Sequence, residues 1–108
     1  MRRSFEVRWA ATAERDLLGV IEYIVFDDPG TAMEVLKRIR VGTARLDFSP
    51  RRGRIVPELL KQGVSRYREL VIKPWRVIYR VEESRVFVVA VIDGRRNVED
   101  VLLERLLR

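Results

Sequence analysis

The stretch YRELVIKPWRVIYRVEESRVFVVAVI, residues 67–92, decides the fold. It holds three runs rich in β-branched and aromatic residues, YRELVI, WRVIYRV and RVFVVAVI, separated by Lys73-Pro74 and by Glu82 to Ser84. Those separations have hairpin length, so the runs are expected to form an antiparallel meander of three strands. In the middle run, alternation sends Trp75, Val77, Tyr79 and Val81 to one face and Arg76, Ile78 and Arg80 to the other. The first set is expected in the core. The last strand, Val86 to Ile92, is apolar on both faces, which calls for a central position covered on both sides.

Upstream, FEVRW (Phe5 to Trp9) alternates as a short strand, with Phe5, Val7 and Trp9 on one face. Ala13, Leu17, Ile21, Ile24 and Val25 then recur at helical spacing, with Thr12 as the expected cap and Glu14 and Asp16 in the first turn, where the helix dipole favours anions. The sequence DDPG (Asp27 to Gly30) ends this helix and begins another, Asp28 capping it and Pro29 taking the first helical position. Ala32, Val35, Leu36, Ile39 and Leu46 mark the second buried stripe. So short a connection makes the two helices an antiparallel hairpin. Between Phe48 and Gly63 the pattern fails: Pro50, Gly53, Pro57 and Gly63 punctuate it, and SPRRGRIVPELL offers one short apolar turn at most, so a basic loop is expected.

Downstream of the meander, Asn97 is placed to cap a final helix with Glu99 and Asp100 in its first turn. Val98, Val101, Leu102, Leu103, Leu106 and Leu107 give it a broad apolar stripe, suited to cover the second face of the last strand. The order is β-α-α-β-β-β-α, an α+β fold with a helical hairpin packed on a small, mainly antiparallel sheet. The chain has 108 residues, which sets the expectation of one domain over residues 1–108.

Composition narrows the chemistry. The chain has no cysteine and no histidine, so disulfides, thiolate nucleophiles and the usual zinc constellations are excluded; any metal would need carboxylates alone, and neither metal nor cofactor is expected. No window approaches the roughly 18 apolar residues of a membrane span, and a soluble cytoplasmic protein is expected. The formal net charge is +6, unevenly spread. Residues 1–50 hold eight basic and eight acidic side chains, whereas residues 51–80 hold nine basic ones against Glu58 and Glu69. Such a local field favours an anionic partner, nucleic acid or an acidic protein segment, with salt-dependent binding. A solvated basic face is the plainer alternative.

Four segments in order, VRWAATAERDLLGVIEYI, GRIVPEL, YRELVIKPWRVIYRV and VAVIDGRRNVEDVL, are similar to the RelE/ParE superfamily of bacterial toxins, over nearly the whole chain. The resemblance implies the toxin of a type II toxin–antitoxin pair, a plasmid-stabilisation protein held inactive by a cognate antitoxin in a hetero-oligomer. RelE-like members cleave messenger RNA in the ribosome, and ParE-like members poison DNA gyrase.

RNA cleavage by a ribose 2′-hydroxyl needs a base, a group that stabilises charge on the phosphorus oxygens, and an acid for the leaving oxygen. RelE-like members use lysines, arginines and a C-terminal tyrosine. By matching motifs, their strand arginine falls on Arg76 in WRVIY, and the arginine after the last strand falls on Arg95 or Arg96. The tyrosine position falls near Leu102, and the lysine-bearing strand falls on YRELVI, which supplies Arg68 and Glu69. Arg76 and Arg96 are thus the catalytic candidates if the chain is RelE-like.

Tyr67, Tyr79 and Glu69 are the side chains available to move a proton. Tyr67 and Tyr79 have core positions as their plainer reading, and Glu69, among Arg66, Arg68 and Arg76, reads as an ion-pair partner. Arg76 and Arg80, two apart on one strand face, suit a phosphate or a carboxylate of an antitoxin, with pairing to Glu69 or Glu82 as the structural alternative. Arg95 and Arg96 look like an anion-binding turn beside a helix N-terminus, with Asp93 as a capping or pairing group. Arg68, Arg76, Arg80, Arg95 and Arg96 are therefore the expected anion or target contacts, and Arg68, Arg76 and Arg80 the expected antitoxin contacts. The helical C-terminus is similar to ParE-like members. Three functions stay open: a gyrase-directed toxin without catalytic residues, a ribosome-dependent endonuclease, and a degenerate member that binds its antitoxin and co-regulates their operon.

Overall fold

The computed structural model describes residues 4–106. Strand β1 (Glu6–Trp9) leads into helix α1 (Ala11–Val25) and helix α2 (Pro29–Ala44), which is followed by a 3₁₀ turn at Arg45–Asp47. A short strand β2 (Arg54–Ile55) and a single-turn helix α3 (Pro57–Leu60) precede the meander β3 (Tyr67–Ile72), β4 (Trp75–Glu82) and β5 (Arg85–Asp93), and α4 (Val98–Leu106) follows. The five strands form one sheet in the order β1-β5-β4-β3-β2. Strand β1 pairs parallel to β5, and the other three pairings are antiparallel. The expected α+β architecture, a helical hairpin on a mainly antiparallel sheet, is the one observed.

The two faces of the sheet carry separate cores. On the hairpin side, Ala13 and Leu17 of α1 and Val35 and Ile39 of α2 pack with Val77, Tyr79, Val86, Val88 and Val91. On the other side, Leu59 of α3 and Val98 and Leu102 of α4 pack with Tyr67, Ile78, Val89, Ala90 and Ile92. Each large aliphatic side chain buried this fully contributes about 1.5–3 kcal/mol. Strand β5 is therefore interior and covered on both faces, as its apolar run demands. The expected stripe residue Leu107 lies outside the described residues.

Several local expectations are corrected. Helix α1 begins at Ala11 with Ala10 in the cap position and no side-chain cap, so Thr12 and Asp16 sit inside the helix. Both bond to β5 instead. The register between β4 and β5 shifts between Ile78 and Tyr79, leaving Val89 without an opposite residue, and this bulge turns Val89 and Ala90 both away from the hairpin. Thr12 donates its hydroxyl to the Val89 carbonyl (3.4 Å), and the Val91 N–H donates to Asp16 (3.0 Å), so α1 satisfies backbone groups around the bulge. Leu46 is buried, but in the 3₁₀ turn beyond α2.

The segment expected as a basic loop contains β2 and α3. Its two-residue strand is too short for any hydrophobic period to register. Gly53 just before it is buried where a Cβ would strike the Glu69 carbonyl and the Tyr79 hydroxyl. Its N–H donates to that hydroxyl at 3.0 Å. Asp28 caps α2 as expected, accepting from the Thr31 N–H and hydroxyl, with Pro29 at the first helical position. Asn97 accepts from the Asp100 N–H at the start of α4.

Candidate functional site

Arg76 lies at the centre of an ionic network on the α3–α4 side of the sheet. Its Nε donates to Glu69 at 2.6 Å, while Nη1 and Nη2 donate to the two carboxylate oxygens of Glu58 at 2.7 and 2.6 Å. Glu69 also accepts from Arg54 Nε at 2.6 Å. The side chains of Arg76 and Glu69 are only 10% and 0% exposed, so these charges are held by one another and not by water. The hydrogen bond to Glu58 is foremost in raising the Arg76 pKa above its ordinary value, and the same bond from Arg76 lowers that of Glu58. An external anion could reach Arg76 only by displacing a carboxylate already bound to it.

The side chains expected to move a proton are equally committed. Tyr79 is fully buried among the hairpin-side core residues, and burial raises its phenol pKa. Tyr67 is buried in the opposite core with the Arg66 guanidinium 5.3 Å from its ring centre. Glu69 is the bridge between Arg54 and Arg76 described above.

The arginines expected to act together are divided by the sheet. Arg68 shares the hairpin side with Tyr79, its cross-strand partner, and donates to the Gly53 carbonyl at 2.8 Å. Arg76 and Arg80 share the other side. Arg80 pairs with Glu82 at 3.5 Å and lies over the Phe87 ring at 4.9 Å. Both therefore take up the structural pairings open to them in the sequence.

Arg95 and Arg96 occupy the β5–α4 turn. Asp93 accepts from the Arg95 backbone N–H at 3.0 Å and from its guanidinium at 2.9 and 2.8 Å, and the guanidinium is foremost in holding the Asp93 pKa down to about 2. Arg96 is exposed, and among the described residues its side chain makes no hydrogen bond or ion pair. Both arginines stand on the rim of a groove of about 620 Å³ between α1, α4 and the β4–β5 ends. Val20, Ile24, Trp75 and Val101 line its depth, and Gly19 opens its wall. Asp16 and Arg105, paired at 2.5 Å, tie α4 to α1 along it.

A second, shallower groove of about 750 Å³ runs between α2 and the β3–β4 turn. Lys37, Arg38, Arg45 and Lys73 border it, and the exposed Val41 and Val71 lie in it. None of these four cations has an ion-pair partner among the described residues.

Glu58 and the Asp16–Arg105 pair were not singled out in the sequence. Asp16 and Arg105 are 89 residues apart, and nothing local marks the partnership. Glu58 carried a weak signal, an acid just after Pro57 where a helix turn begins.

Among the described residues, no helix is long and apolar enough to cross a membrane. No curated protein matches the chain. A solved structure described as the chromosomal ParDE TA system from P. aeruginosa has the same fold, with a TM-score of 0.70 and 18% identity over 83% of this chain and 96% of that one. Residues 7–98 match the family model described as the ParE toxin of the type II toxin–antitoxin system parDE, so the chain belongs to the ParE toxin family.

Proposed function

We propose that this protein is the growth-inhibiting member of a type II toxin–antitoxin pair, that it acts in the cytoplasm by binding DNA gyrase without catalytic side chains of its own, and that a cognate antitoxin neutralises it. The observation that supports binding over nuclease chemistry is the state of Arg76. Its guanidinium carries two carboxylates in a nearly water-free setting. A phosphoryl-transfer site needs a cation free to meet developing charge and groups free to move protons. Tyr67, Tyr79 and Glu69 are all buried. The ribosome-dependent nuclease reading, built on Arg76 and Arg96, would require the Glu58–Arg76–Glu69 bridge to open and a base from elsewhere.

For the antitoxin, Arg68 and Arg76 are engaged within the chain, and Arg80 keeps partial exposure. The α2 groove adds four unpaired cations beside exposed valines, and an acidic amphipathic segment that orders on binding suits that pattern.

The test is induction in a bacterial host without antitoxin, following DNA-damage signalling and cleavage of ribosome-bound reporter message in one culture. Damage signalling with intact message is the expected result. Codon-register cleavage without damage signalling would refute the reading, and uninterrupted growth would favour the co-regulator.

A further inference from the structure

The groove between α1 and α4 has a chemistry that the fold does not itself use. Its two carboxylates are neutralised inside the chain, Asp16 by Arg105 and Asp93 by Arg95. The charge left over is positive: the Arg96 side chain has no hydrogen bond or ion pair among the described residues, and the Arg95 side chain is 73% exposed despite its bond to Asp93. Tyr23 is 80% exposed on the rim, and Phe26, 92% exposed, continues the apolar surface along the same helix end. Arginine, tyrosine and tryptophan around an apolar depression is the composition that concentrates binding energy in protein interfaces.

Gly19 adds an independent feature. A Cβ built there meets no atom within 4 Å, so its helical surface faces open space in the groove wall. Glycine costs an exposed helix interior about 1 kcal/mol relative to alanine, and no close packing at Gly19 offsets it. The missing side chain leaves the groove open.

We propose that this groove is the seat of the target protein, and that its occupant is an acidic segment inserting a large apolar side chain over Gly19 while an adjacent carboxylate meets Arg95 and Arg96. The proposal rests on the gyrase-binding reading and names the surface that carries it. It separates the surfaces: target between α1 and α4, antitoxin along α2 and the β3–β4 turn.

The test measures binding of purified wild-type protein, Gly19→Leu and Arg96→Glu to purified gyrase subunits, and in parallel to the cognate antitoxin. Leucine fills the groove and improves helix propensity, so Gly19→Leu is expected to melt no lower than wild type. Arg96→Glu removes a side chain without a hydrogen-bond or ion-pair partner among the described residues. Both are expected to weaken gyrase binding about tenfold or more while leaving antitoxin affinity unchanged. Tyr23→Ala, also on the surface, is expected to act likewise. Wild-type protein that binds no gyrase refutes the underlying reading and the proposal with it. Wild-type binding that Gly19→Leu leaves intact overturns the proposal alone. Loss of antitoxin binding in place of gyrase binding makes the groove the antitoxin's seat and also overturns it, as does an Arg96→Glu defect seen only when DNA is present.

Discussion

Replacing Arg76 with methionine keeps much of the side chain's length and removes three charge-assisted hydrogen bonds of 2.6–2.7 Å. Losing one partner of a buried ion pair costs about 3–5 kcal/mol, because the other charge is left without compensation. Two features place this case at the low end. Glu69 keeps Arg54 at 2.6 Å, and Glu58, 25% exposed, can turn toward water. An expected loss of about 3 kcal/mol, with an unfolding entropy near 2.1 cal/mol/K per residue, lowers the melting temperature by about 13 °C. Thermal and urea unfolding at neutral pH measure it. Arg76→Lys is expected to rescue little, since one ammonium cannot reproduce a planar fork donating to two carboxylates. Adding Glu58→Gln and Glu69→Gln to Arg76→Met removes the orphaned charges and is expected to restore part of the loss, a coupling visible as non-additivity. An Arg76→Met protein that melts within about 3 °C of wild type would refute the structural role, and with it the reason for setting nuclease chemistry aside.

The Glu58 carboxyl, held below its ordinary 4.5 first by the bond from Arg76, stabilises the fold above that value, and the contribution is lost as pH falls through the lowered folded-state pKa. Glu58→Gln is therefore expected to flatten the decline in stability below about pH 5, and an unchanged acid limb in a melting series would contradict it. Asp16→Ala leaves the buried Val91 N–H without its acceptor and frees Arg105, at a cost of about 1–3 kcal/mol. Amide exchange in 98–106 should accelerate more than in β4, and uniform exchange rates would count against the link between α1 and α4. Gly53→Ala drives a Cβ into the Glu69 carbonyl and the Tyr79 hydroxyl and is expected to lower stability by about 2 kcal/mol or more. A raised melting temperature would show that the loop has more room there than the distances allow.

The meander, the helical hairpin and the covered last strand were legible because each writes a period over several residues. Trp75, Val77 and Tyr79 alternate with Arg76 and Ile78, and Asp28-Pro29 marks a helix start by local chemistry. What escaped was non-local or too short. Strand β2 has two residues and exists because Arg54 and Ile55 find Glu69 and Arg68 across the ladder. The bulge at Val89 is hidden in an apolar run where either face is acceptable. The arginines stood out by type, but type does not reveal whether a carboxylate is waiting. Arg76 met Glu58 and Glu69, Arg95 met Asp93, and Arg96 met none among the described residues. Thr12 and Asp16 looked like helix-terminus residues, yet the helix starts earlier and both turn to β5.

The most direct measurement adds the purified protein to DNA gyrase and relaxed plasmid, with message translated on ribosomes as a parallel substrate. Loss of supercoiling with broken plasmid accumulating, and message left whole, is the expected result; unimpaired gyrase alongside message cut on the ribosome would contradict it.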